Sequence, residues 1–161
     1  MARAIDQLLP AVLPPQLVAA SHEIMGLDRQ LIADRTYYVA QGPAGELAGS
    51  GGWSRRATLL GGDHSQGRDP ALLDPAREPA RIRALYTDPD WTRRGVGRAI
   101  LAACEAAAAA EGFRACELAA TLSGAPLYRA CGYQEIEPFE AVTRAGHRVP
   151  LHRMGKALAP G

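Results

Sequence analysis

Apolar residues along the chain change their period several times, and each change marks an element. From Ala2 to Asp34 they recur near helical spacing, through Leu17, Val18, Ile24, Leu27, Leu31 and Ile32, which predicts helices. Pro14 and Pro15 suit a helix start, where a missing N–H costs nothing, and Gly26 breaks the run in two. The period then shortens. Thr36-Tyr37-Tyr38-Val39-Ala40 is β-branched and aromatic and predicts a strand. Gly42-Pro43-Ala44-Gly45 reads as a turn, and Glu46 to Ser54 returns as a second strand. Its Gly49, Gly51 and Gly52 predict a bulge or a close backbone approach.

Residues 61–79 are rich in Gly, Asp and Pro and have no period. Long loops of this kind serve as lids, binding loops or mobile segments. Arg81 to Thr87 alternates as a strand that Asp88-Pro89-Asp90 ends. Gly95 to Glu111 predicts a helix with Val96, Ile100, Cys104 and Ala107 in one stripe. Ala115 to Thr121 is a strand, Gly124 to Ala130 a short helix stopped by Gly132. Tyr133 to Val142 and Arg148 to Lys156 form a last hairpin around Ala145-Gly146. The order implies one mixed α/β domain over 1–161, helical over 1–35, with a strand–helix–strand unit at its centre.

Composition narrows the class. The 161 residues suffice for one sizeable core, and 47% are hydrophobic against 22% charged, as in a soluble globular protein. A net charge of +1 gives neither the basic field of a nucleic-acid binder nor the acidic excess of a disordered chain. Lys156 is the only lysine beside many arginines, which reads more simply as the codon bias expected of a GC-rich bacterium than as chemistry. Cys104, Cys116 and Cys131 form no C-x-x-C pair and read as reduced thiols. No signal-peptide pattern opens the chain and no apolar run spans a bilayer, so a cytoplasmic protein with no membrane partner is expected. His22, His147 and His152 lack metal-ligand spacing, and no metal is expected.

The segment from Leu85 to Ala99 carries the chemistry. A strand ends, a turn follows, and a helix begins at Gly95 and Gly97. The first N–H groups of a helix have no internal partner and lie at the positive end of its dipole, which makes an anion site. Gly95 and Gly97 would let a diphosphate reach the backbone, and Arg93, Arg94 and Arg98 would add charge-assisted donors. The same residues also fit a tight turn with a solvated basic helix start.

This segment resembles the acyl-CoA loop of GNAT acetyltransferases, L-x-V-x-P-x-x-[RQ]-x-x-G-x-[GA]. Leu85, Thr87, Pro89, Thr92, Gly95 and Gly97 carry the pattern. Thr87 replaces the usual Val, and Thr92 the usual Arg or Gln, with Arg93 as the neighbour that could supply the contact. A second segment, Ala125, Leu127, Tyr128, Gly132 and Tyr133, is similar to the family's A-x-x-[FL]-Y-x-x-x-G-[FY], and Thr121 stands where many members carry Asn. The ending Val149 to Lys156 is similar to the last strand. The resemblance covers roughly residues 36–157. Many members open with a strand that cannot be found here.

The resemblance implies a mixed, mostly antiparallel sheet flanked by helices around a central β-α-β acyl-CoA unit. It implies direct acetyl transfer from acetyl-CoA to an amine of a small molecule, peptide or protein. Acetyl-CoA would be held by Leu85, Thr87, Thr92, Arg93, Arg94, Gly95, Val96, Gly97, Arg98 and Thr121. Tyr128 matches the family's acid for the departing thiolate, and a backbone N–H near Thr87 would serve the oxyanion. The histone-modifying members' Glu corresponds to Arg81, which cannot act as a base. The base stays open among Asp88, Glu78, His64 and a water relay. Trp53, Arg55, Arg56 and His64 are the acceptor-pocket candidates, with 61–79 as a mobile cover over that pocket. Each also has an ordinary reading as a packed or solvated side chain. A homodimer is compatible with the resemblance, and nucleic acid is not an expected partner. The alternative is a non-catalytic acyl-CoA-binding module. A dinucleotide-binding fragment is disfavoured, because the glycines do not form G-x-G-x-x-G.

Overall fold

The computed structural model describes residues 1–159. Helices α1 (Ala2–Leu8), α2 (Pro15–Ile24) and α3 (Arg29–Ala33) precede β1 (Tyr37–Gln41) and β2 (Leu47–Ser54). Then come β3 (Ala80–Thr87), α4 (Val96–Ala110), β4 (Ala115–Thr121), α5 (Ala125–Ala130), β5 (Gln134–Val142) and β6 (Arg148–Ala157). The six strands form one sheet in the order β1-β2-β3-β4-β6-β5. Every neighbouring pair is antiparallel except β3 and β4. The right side of this topology follows from β3–α4–β4, a crossover that forces parallel pairing.

That parallel pair is short. It holds at Ala80↔Cys116 and Arg81↔Glu117 and then stops, although β3 runs to Thr87 and β4 to Thr121. Against β2, the ladder steps from Gly52↔Arg83 to Ser50↔Tyr86, so Ala84 and Leu85 together face Gly51. Ala84 takes a φ of +52°, a left-handed conformation costing an L-residue about 1–3 kcal/mol. A bulge bends its strand, and β3 diverges from β4 beyond Arg81 with its edge open to a cleft.

The glycines of β2 answer to close approach. A Cβ at Gly49 would stand 2.7 Å from Val96 Cγ1, and one at Gly51 would stand 2.5 Å from Leu85 Cδ1. Their absence lets α4 lie directly on the sheet. The bulge itself sits in β3, opposite Gly51.

Two apolar clusters result. The first joins Trp53, Ile82, Ile100, Leu101, Leu118 and Met154 between the sheet and α4. The second joins Ile5, Leu9, Val18 and Ile24 of the N-terminal helices to Val149 and Leu151 of β6. Among the described residues no strand precedes β1; its place is taken by these helices. The helical period there was only partly informative, since Leu27 and Ile32 face solvent while Val18, Ile24 and Leu31 are buried.

The expectation of a mobile cover over 61–79 is corrected. Ala57 N–H donates to Ala71 O and Thr58 N–H to Asp69 O, both at 2.9 Å. Arg68 reaches Asp28 at 2.8 Å, and Leu73 is buried in the first core. The segment is fastened along its length because its turn-forming residues satisfy their polar groups on the body of the protein.

Candidate active site

The cleft opened by the divergence of β3 and β4 has a volume of about 710 Å³. The strand edge from Ile82 to Thr87 runs along it, Ala119 and Thr121 face it from β4, and Leu127 and Tyr128 from α5. The start of α4 closes one side. Gly95 caps α4 with a φ of +83°, a conformation that favours glycine. The first helical amide to find a carbonyl is that of Ala99, on Gly95 O at 2.9 Å. The N–H groups of Val96, Gly97 and Arg98 therefore meet the cleft without a described backbone partner, at the positive end of a 15-residue helix.

The residues expected here divide into two groups. Leu85, Thr87, Thr92, Arg93, Gly95, Val96, Gly97, Arg98, Thr121 and Tyr128 all line the cleft. Arg94 does not; its guanidinium lies 4.8 Å from the centre of the Trp91 ring. Gly97 also meets a packing constraint. It is buried, and a Cβ there would stand 2.8 Å from Leu127 Cδ2 and 3.4 Å from Thr87 Oγ1, so glycine is demanded by the packing of α4 against α5. Thr121 Oγ1 accepts the Gly124 N–H at 3.0 Å and so shapes the turn into α5. Thr92 Oγ1 donates to Pro89 O at 3.1 Å.

The acceptor-pocket candidates are corrected. Trp53 is 2% exposed and packs edge-on against Phe113 with centroids 5.9 Å apart. Arg55 stacks over Trp53 and pairs with Glu111. Arg56 pairs with Asp34 at 2.7 Å. His64 is exposed, with its ring Nε2 2.8 Å from the His22 carbonyl oxygen. None of the four lines the cleft. Burial and ion pairing, which single-sequence reasoning cannot distinguish from ligand binding, use all of them.

The candidate bases fare likewise. Asp88 pairs with Arg3 at 2.7 Å and accepts the Asp90 N–H. Glu78 accepts the Asp74 N–H at 2.7 Å. Arg81 pairs with Glu117, as does Arg153. None of these lines the cleft either.

Tyr128 is placed differently. Its ring meets Tyr133 edge-on at 5.9 Å, while its hydroxyl makes no described hydrogen bond and the residue faces the cleft. Burial pushes its phenol well above the ordinary tyrosine range.

Several lining residues had no signal in the sequence: Ile5, Leu8 and Leu9 of the N-terminal segment, Met25 and Gly26, Leu59 to Gly61, and Leu151. Tyr86 and Arg83 of β3 line it as well. Tyr86 Oη accepts the Gly26 N–H at 3.0 Å, and burial pushes this phenol to about 12. Arg83 is 4% exposed. It donates to Thr58 O and Gly61 O and pairs with Asp28 at 2.9 Å. Burial lowers it to about 10 against the opposing pull of Asp28. An arginine on the inward-facing register of a strand was the one visible hint.

Residues 33–135 match the family model described as the acetyltransferase (GNAT) domain. Among curated proteins none matches the sequence. A GCN5-related N-acetyltransferase structure from Rhodopseudomonas palustris superposes with a TM-score of 0.67 at 20% identity, over 98% of this chain and 84% of the other. A ribosomal-protein-alanine N-acetyltransferase from Brucella melitensis gives 0.59 at 18% identity, over 81% and 74%. A GNAT superfamily phosphinothricin acetyltransferase from Sinorhizobium meliloti, solved with AcCoA, gives 0.57 at 21% identity, over 83% and 66%.

Proposed function

The chain belongs to the GNAT acetyltransferase family, and on that premise we propose that it transfers an acetyl group from acetyl-CoA directly to an amine. The observation that carries the reading is the open start of α4 beside the diverging edge of β3. Three unpartnered N–H groups with Arg93 and Arg98 form a cradle that fits a diphosphate. The β3 edge beyond Arg81 has lost its strand partner, so its backbone fits an extended amide-bearing arm such as pantetheine. Arg94, turned onto Trp91, stiffens the loop instead of touching the ligand.

Acetyl-CoA supplies an activated thioester. A tyrosine phenol is protonated at neutral pH, burial raises that of Tyr128 further, and a protonated phenol facing the cleft is in the right state to give that proton to a departing thiolate. Residues 59–61 and the N-terminal helices line the far side of the cleft. Residues 1–161 are read as one catalytic domain, since Ile5, Leu9 and Ile24 share a core with β6. A reducing, cytoplasmic setting fits the three unpaired thiols. Among the described residues no helix is long and apolar enough to cross a membrane.

Calorimetry with acetyl-CoA, followed by thiol release with a panel of amines, tests the reading. Binding with amine-dependent thiol release is the expected result. Absence of acetyl-CoA binding overturns the proposal, and binding without release to any amine would make the protein an acyl-CoA-binding module.

A further inference from the structure

The two sides of the cleft differ in chemistry. Opposite the α4–α5 side stands a wall built from the second core. Ile5, Leu9, Ile24 and Leu151 belong to that core, Met25 and Leu60 pack against it, and all six face the cleft. No Asp, Glu, His or Lys lines the cleft among the described residues.

The titratable and charged groups that do face it can be named element by element. Strand β3 brings Arg83 and Tyr86, the start of α4 brings Arg93 and Arg98, and α5 brings Tyr128. The N-terminal helices, the 59–61 segment and β6 bring none. Arg3 is turned to Asp88 and Asp90, Asp6 to His22, and Glu23 to the Arg144 backbone. Asp28 lies behind Arg83, 1% exposed, and is held by both Arg83 and Arg68.

An ammonium entering such a cleft meets arginines and aliphatic walls, with no carboxylate to replace its hydration. No lining carboxylate or imidazole can take its proton. A carboxylate on the acceptor gains little, because the Arg83 donors are engaged by Thr58 O, Gly61 O and Asp28. Among the described residues, the one polar side chain on this side with an unengaged donor is Tyr86, whose hydroxyl oxygen accepts from Gly26 and whose own proton has no described acceptor.

We propose that the acceptor is a weakly basic primary amine on an uncharged, apolar body, which enters as its free base and is oriented by the Tyr86 hydroxyl. The inference rests on the acetyl-transfer reading. As the N–C bond forms and the thioester C–S bond breaks, Tyr128 gives its proton to the sulfur. The nitrogen releases one proton to solvent, and Tyr128 regains one from solvent.

The test compares p-toluidine, benzylamine, phenylalanine and spermidine as acceptors at saturating acetyl-CoA. Near pH ~7, p-toluidine should lead in kcat/KM. The acidic limb for benzylamine should follow its own ionisation, falling about tenfold for each pH unit below it, while p-toluidine shows no limb there. Leu60→Asp places a carboxylate on the wall and should move the preference toward benzylamine with acetyl-CoA affinity unchanged; Met25→Glu is the second variant if the first does not fold. Tyr86→Phe should raise KM more than it lowers kcat. Preference for spermidine or phenylalanine, or one shared acidic limb for both aromatic amines, overturns the inference while leaving acetyl transfer standing. Tighter binding of octanoyl-CoA than acetyl-CoA, with p-toluidine neither acetylated nor stabilising the acetyl-CoA complex to heat, also overturns it, by assigning the wall to a longer acyl chain. Failure of acetyl-CoA itself to bind would strike the parent reading instead.

Discussion

The two sides of the cleft are built by opposite strategies. The cradle side comes from one contiguous stretch, Thr92 to Arg98, and relies on backbone donors, a left-handed glycine and exposed arginines. The far wall is assembled from α1, the end of α2, residues 59–61, β3 and β6, and relies on apolar side chains. A local device recognises a ligand part common to many enzymes by charge and N–H groups. A composite wall recognises by shape and exclusion, and can change without disturbing the cradle. The contrast predicts that perturbations on one side leave the other side's ligand alone, and it can be broken by experiment.

The largest effect is expected where the two sides meet. Tyr128→Phe keeps the ring against Tyr133 and removes the hydroxyl that faces the cleft. As general-acid catalysis it should lower kcat by about 10²–10⁴ with little change in acetyl-CoA affinity. Steady-state kinetics with an accepted amine check it; a kcat near that of the parent removes the acid role and leaves Tyr128 as packing.

Behind the far wall, Asp28→Ala strips the buried Arg83 and the half-buried Arg68 of their shared carboxylate. Removing one partner of a buried ion pair costs about 3–5 kcal/mol, read as a lower urea midpoint. A small loss would mean that the arginines are adequately held by the Thr58 and Gly61 carbonyls, and that the wall does not depend on this cluster.

On the cradle side, Arg98→Ala or Arg93→Ala should weaken acetyl-CoA by about 1.5–3 kcal/mol for each charge-assisted bond lost. Acceptor KM should stay constant, and calorimetry beside kinetics tells the two apart. A matching change in acceptor KM would dissolve the distinction between the sides. The smallest effect is expected for Arg94→Ala. Its stacking on Trp91 is worth about 0.5–1 kcal/mol at an exposed site, so acetyl-CoA affinity should fall less than with Arg98→Ala.

Much of the strand and helix order was legible, because alternation and helical stripes report which face of an element is buried. β4 runs over the stretch read as a strand, Ala115–Thr121, and α4 ends within a residue of the expected limits. The turn and helix start from Thr92 to Arg98 were legible because their parts are adjacent in the chain. The acceptor-pocket candidates Trp53, Arg55, Arg56 and His64 went astray for a common reason: aromatic and cationic side chains look alike in sequence whether they pack, pair or bind. The packing that excludes a side chain at Gly97 was not legible, since the neighbour that crowds it, Leu127, is 30 positions away.

The sequence by itself determined the local features: the period of each element, the glycine at the start of α4, and the two motif segments around Thr87–Gly97 and Ala125–Tyr133. These depend on residues within a turn or two of one another. Only the tertiary structure decided that β3 and β4 part after one short pairing, that α1 and residues 59–61 wall the cleft, and that no carboxylate or imidazole faces it among the described residues. The physical reason is that a cavity is a property of surfaces brought together by packing, and its polarity is set by which side chains find partners elsewhere. Arg3, Arg83 and Asp88 found theirs across the fold, and those pairings left the far wall apolar.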